Sequence, residues 1–230
     1  MKPSSDIVIE NVTVRIRDAS SLGYRAEATP GVRLGGAGGA MCESAHVPSD
    51  LSPQSLSEED RRLVAAWAAD CAERVLPLFE AEAPDDDRAR DAIARARAFS
   101  RGELSAAEQI RRRFVAGRAA HSATSPAGAA AARAAAQAAG VAHMGAHALG
   151  AAAYAAKAVA LTAEDGQDAH AASAELEWQL ERMSAEAASA LGRLPPVGED
   201  SSGPLGSGLL ASGDLGAHIR RVQGALRSPR

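Results

Sequence analysis

Between Pro126 and Ala163 alanine is so dominant that the segment can do little except form helix and press close against its neighbours. Alanine has the highest helix propensity of any residue. Its methyl group buries little area, so cohesion has to come from backbones packed near one another. The chain of 230 residues is 46 % apolar, yet it holds only three Phe, two Trp and two Tyr to supply bulk. A core of large side chains is therefore excluded, and an all-α fold of closely packed rods is expected. The 3.6-residue period that starts at Ser57 divides residues 51–193 into five to seven helices with short connections, an Ala-rich antiparallel bundle or a stack of helical hairpins.

The first helix spans about 58–83. Glu58, Glu59 and Asp60 fill its first turn, and its stripe is Val64, Trp67, Ala68, Cys71, Val75, Leu78 and Phe79. Pro77 lies inside it and is expected to kink or split it. One of Asp85 to Asp87 caps a second helix, which turns Ala89, Ala92, Ile93, Ala96 and Phe99 inward until Gly102. Ser105 and Glu108 form a capping box for a third, with Ile110, Phe114 and Val115 as its apolar side. Ser125-Pro126 opens the alanine segment, which is one long helix or two joined near Gly150. Helices over 166–183 and 184–191 follow. Residues 194–230 are a Gly/Pro/Ser-rich tail in which "DLGAHIRRVQGALR" reads as a short amphipathic helix, detached or docked.

Residues 1–50 form an N-terminal arm of different character. In "IVIENVTVRIR" Val12, Val14 and Ile16 alternate with Thr13, Arg15 and Arg17, the period of a strand. One strand is not stable alone. Its partner would come from "YRAEA", giving the arm two strands, or from a second copy of the chain, giving a homodimer. "PGVRLGGAGGAMCES" reads as a glycine linker; its GGAGG lacks the Lys-Ser/Thr of a phosphate loop.

Several classes of function are disfavoured. The net charge of −4 gives no sign of a nucleic-acid surface, and the run Arg111-Arg112-Arg113 beside Glu103 and Glu108 reads as a solvated helix face. No membrane span is expected, because Arg133, Gln137, His143, His147 and Lys157 interrupt the alanine segment. Cys42 and Cys71 are too few and too far apart for a disulfide framework or a thiol zinc site. Met1-Lys2 leads into Pro, Ser and Asp rather than an apolar run, so a cytoplasmic chain is expected. No cofactor is implied by any motif.

"AHMGAHALGAAAYAAKA" (142–158) carries the candidate chemistry. On one continuous helix, His147 lies about 40° from His143, Tyr154 about 20° and Lys157 about 40° the other way. Three readings follow. A zinc pair at i and i+4 would need a third ligand from His121, His170 or Asp70, and Met144 stands where a catalytic Glu would be, so no metal is expected. A cavity lined by His143, His147, Tyr154 and Lys157 would let an imidazole act as acid or base while Tyr154 orients a ligand. Alternatively, the same side chains lie inward, bonded to carboxylates such as Glu175, Glu177 or Asp70. Trp67 and Trp178 are the aromatic candidates for a ligand's apolar surface, and each reads equally as core.

Three blocks in order, "RRLVAAWAADCAERVLPLFEAEAPDDDRARDAIARARAFSRGE" (61–103), "AHMGAHALGAAAYAAKA" (142–158) and "ELEWQLERM" (175–183), resemble the immunity proteins of actinobacterial polymorphic toxin systems, which carry an immunity-five-like domain. The resemblance covers about 57–190. It implies an α-helical fold and an interaction protein that neutralises a partner toxin, and it supplies no catalytic residues. The competing class is a small-molecule-binding protein or cofactor-independent enzyme of a bacterial biosynthetic pathway that uses a His/Tyr-lined cavity between helices.

Overall fold

The computed structural model describes residues 6–9, 12–15 and 52–227. Strands β1 (Asp6–Ile9) and β2 (Val12–Arg15) pair antiparallel with Asp6 opposite Arg15 and Ile9 opposite Val12, so the expected strand finds its partner immediately before it. The alternative partner at 24–28, the glycine linker over 30–44, Cys42 and the side chains of 111–114 lie outside the described residues.

Eight α-helices follow among the described residues: α1 (Glu58–Glu80), α2 (Arg88–Ser100), α3 (Ala106–Ala119), α4 (Pro126–Gly140), α5 (His147–Ala160), α6 (Asp168–Glu181), α7 (Ala185–Gly192) and α8 (Gly213–Arg227). Helices α1, α4 and α5 pack against one another at the centre. On the α4 side lie α2 and α3, on the α5 side α6 and α8, and α7 bridges α1 and α8. Helix α4 buries Ala130, Ala131, Ala132, Ala134, Ala135 and Ala138, and α5 buries every residue from Ala148 to Ala156. A helix apolar all round must be enclosed on all sides, and methyl-sized side chains let its neighbours come close enough to enclose it.

Local signals work as expected at several ends. Ser57 Oγ accepts from the Asp60 amide, the Ser105/Glu108 capping box is complete, and Ser125 Oγ accepts from the Gly128 amide behind Pro126. The Glu82 carboxylate also takes the amides of Thr124 (2.7 Å) and Ser125 (2.8 Å), placing an anion of the chain itself at the start of α4. At α2 the Asp87 side chain makes no capping bond; Asp86 Oδ1 accepts the Arg88 amide at 3.2 Å instead. Just past the end of α2, Gly102 with a φ of +80° lets the Gly102 and Glu103 amides turn back to the carbonyls of Phe99 and Ala98.

Three expectations need correction. Pro77 does not split α1, which continues through it to Glu80; it sits in the last turn, where its missing N–H forfeits one bond while Leu76, Leu78 and Phe79 hold the turn in the core. Among the described side chains of α3, Gln109, Ala116 and Ala119 are buried while Val115, expected on the apolar side, is exposed; Phe114 lies outside them. The alanine segment breaks at 141–146 and not near Gly150.

That break is made by residues before α1. The Gly145 and Ala146 amides donate to the carbonyls of Ser55 and Gln54, each at 3.0 Å, and Leu56 lies over Gly145 so closely that a Cβ there would come within 2.5 Å of Leu56 Cδ1. Leu56 itself adopts a φ of 61° to make this approach. The Gln54 carboxamide then reaches the other way, donating to Asp200 Oδ2 and the Ser202 carbonyl and accepting from the Leu205 amide. Leu194, Val197, Leu205 and Leu210 belong to the same core as α1–α7, and α8 is docked on it through Leu215, Ile219 and Val222. Gln223 secures the connection, accepting from the Val197 amide and donating to the Pro195 carbonyl.

Candidate functional site

The break at 141–146 separates the two histidines. His143 is exposed in the turn, whereas His147 is the first residue of α5 and lies over Gly140, which has no Cβ to obstruct the ring. His147 Nδ1 stands 2.8 Å from Gln137 Oε1, and since an amide oxygen only accepts, the proton of the ring is placed on Nδ1. Burial, assisted by His143 nearby, pushes its pKa down to about 4. Its partner is thus an amide on α4 and not a carboxylate. The three expected carboxylates are engaged elsewhere: Asp70 with Arg97, Glu175 with Arg74, and Glu177 with Arg221.

Tyr154 lies two turns further along α5 and is buried. Burial raises its hydroxyl pKa while Arg133 on α4 pulls it back. Between them is Gly150, where a Cβ would stand 2.4 Å from Gln137 Oε1 and 3.1 Å from Leu210. His147 and Tyr154 share the α4-facing side of α5, with the space between them taken by Gln137.

The two tryptophans belong to a second place, the seam between α1 and α6. Trp67 is buried and donates Nε1–H to the Gln179 carbonyl at 2.8 Å. The guanidinium groups of Arg74 and Arg182 lie over the half-buried Trp178 ring, 4.1 Å and 4.8 Å from its centroid. Arg74 Nε also meets Glu175 Oε2 at 2.7 Å, with both side chains buried, and Gln179 donates to Glu175 Oε1. Burial raises the Glu175 pKa even with those donors present. It also pushes the Cys71 thiol well up, so this cysteine is an inert core residue.

Lys157 belongs to a third place. With Ala160 of α5 and Leu161 just after it, Asp168, Ala169 and Ala172 of α6, and Asp214, Ala217 and His218 of α8, it lines a solvent-open cleft of about 200 Å³. Lys157 Nζ stands 3.9 Å from Asp214 Oδ2. The His218 Nε2 atom is buried without a hydrogen-bond partner. Burial lowers the His218 pKa, Lys157 and Arg221 lower it further, and the Asp214 carboxylate opposes them. Sequence reasoning misses Asp168, Asp214 and His218; the Asp214/His218 spacing of i, i+4 is the one local sign that these two share a face.

The residues singled out in the sequence thus divide among a packed α4–α5 interface, a cation-stacked seam and an open cleft, with His143 left exposed in the turn before α5. Among the described residues no group of three His, Cys, Asp or Glu side chains is arranged to hold a metal ion, and no helix is long and apolar enough to cross a membrane. A family model described as "Imm-5 like putative immunity protein" matches residues 54–186, more than half of the chain. The chain belongs to that family. Nothing among curated proteins or solved structures matches it. The match begins at Gln54, the residue that ties the turn before α5 to the loop after α7, and ends inside α7, whereas α8 and its share of the cleft lie beyond it.

Proposed function

We propose that this protein is an immunity factor that binds a partner toxin in the bacterial cytoplasm and neutralises it by occupying the toxin's surface. The observation that carries this reading is the family match over 54–186, which takes in α1 to α6 whole. The histidine geometry favours binding over catalysis, since His147 is neutral, largely enclosed and already bonded to Gln137, which commits its Nδ1 proton. The charged groups left at the surface are of both signs, as expected of a recognition face.

The test is growth rescue. The reading predicts a toxin gene beside this one; its product is expressed alone and together with the full chain, and the pair is then purified. Restored growth with a stoichiometric complex is the expected result. Continued killing together with separate elution of the two proteins would overturn the reading.

A further inference from the structure

We propose that the cleft between α5, α6 and α8 is the recess that receives a lysine or arginine side chain of the protein partner; this rests on the immunity reading above. Its floor is made of methyl groups from Ala160, Ala169, Ala172 and Ala217, with the half-exposed Leu161 as one wall. Such a surface suits an aliphatic stem, and the polar group beneath the rim is the His218 imidazole. The volume of about 200 Å³ is below the roughly 300–1,000 Å³ usual for drug-sized ligands and suits a single side chain.

The rim decides the sign of the occupant. Asp168 has no side-chain partner among the described residues, and the three-quarters exposed Asp214 has Lys157 at 3.9 Å, the outer limit of an ion pair. His218 adds no positive charge, since its burial favours the neutral ring. Two carboxylates therefore share one distant ammonium. Exposed Glu164 in the connection into α6 adds the same sign at that end of the molecule. The positive ends of α6 and α8 also open here and would otherwise suit an anion, but Asp168 and Asp214 already occupy those first turns. An incoming ammonium or guanidinium with an aliphatic stem satisfies both rim and floor.

The experiment has two arms on the full chain. In the first, amide chemical shifts are followed on adding Nα-acetyl-lysine methylamide, with the norleucine analogue as an uncharged control. Shifts confined to residues around Ala169, Ala172, Asp214 and Ala217 with the lysine probe alone are expected. Lys157→Ala, which removes the competing cation, should tighten the probe severalfold, whereas an anion site would lose affinity. No localised shift, or equal shifts with norleucine, overturns the proposal. The second arm measures affinity for the toxin captured by growth rescue. The double variant Asp168→Asn/Asp214→Asn and the cleft-filling Ala217→Trp should each weaken it about tenfold or more. Ala217 is exposed, so that variant leaves the core intact, and circular dichroism checks both folds. Unchanged toxin affinity in both variants sinks the proposal and leaves the immunity reading standing. Probe binding in the cleft with no toxin neutralised removes the immunity reading and leaves an amine site. A free polyamine such as spermidine binding far more tightly than the lysine probe would replace the side-chain occupant and overturn the assignment.

Discussion

Arg74 and Glu175 show how much one buried side chain depends on another. The pair is desolvated on both sides, and Arg74 also supports the Trp178 ring. Arg74→Met should therefore cost about 3–5 kcal/mol, because it leaves the buried Glu175 carboxyl with Gln179 as a donor but no compensating cation. Adding Glu175→Leu should recover much of that loss, and urea unfolding of both variants and the double mutant measures the coupling. His147 sets a pH dependence of definite sign. In the unfolded chain its imidazole takes a proton near 6.5, but in the fold not until about 4. Between those values the unfolded state holds more protons, so this contribution is complete above pH 6.5 and drains away as the pH falls towards 4. The ring is not wholly enclosed, so the loss should not exceed about 2–3 kcal/mol. Comparing urea midpoints of the wild type and His147→Gln across that window isolates it; parallel curves would refute the assignment. Neither the Gln137 partner nor the Arg74 stack was legible in the sequence, since each joins different helices.

Helix α8 illustrates what an element demands of its residues. A Cβ at Gly216 would stand 2.3 Å from the Ala211 carbonyl oxygen, which is backbone and cannot yield without moving the turn at Leu209–Ala211. At Gly224 nothing lies within 4 Å. Gly216→Ala should accordingly destabilise by about 1–3 kcal/mol. Gly224→Ala in the same helix should stabilise by about 0.5–1 kcal/mol through helix propensity. Thermal melts of the two variants should shift in opposite directions. The amphipathic pattern of this helix was plain in the sequence, but whether it stood free or docked depended on surfaces contributed by α5, α6 and α7. Helix caps at Ser57, Ser105 and Ser125 were legible because the bonds that make them span three residues. The break after Gly140 was not, because the strap that forces it lies about ninety residues earlier in the chain.

At the scale of the whole molecule, α8 and the loop before it close a single core with the helices of the family region. Gln54 is the link: its backbone holds the turn before α5 and its carboxamide holds the loop at 200–205. A chain ending at residue 193 would leave that carboxamide buried without its partners and uncover the α5 face against which Leu215, Ile219 and Val222 pack. It should lose cooperative thermal unfolding, as followed by circular dichroism. A truncated chain melting as sharply as the full one would show that the family region folds independently. By itself the sequence determined the all-α class, the stripes of α1 and α2 and the caps at Ser57, Ser105 and Ser125, because these depend on a 3.6-residue period and on bonds between near neighbours. Only the tertiary structure decided where the alanine segment breaks, which histidine is enclosed, and that Lys157 meets Asp214 and His218 across a cleft. Those outcomes depend on which distant segments occupy the same space, and an alanine-rich rod, alike on every side, carries little in its own sequence to say what will lie against it.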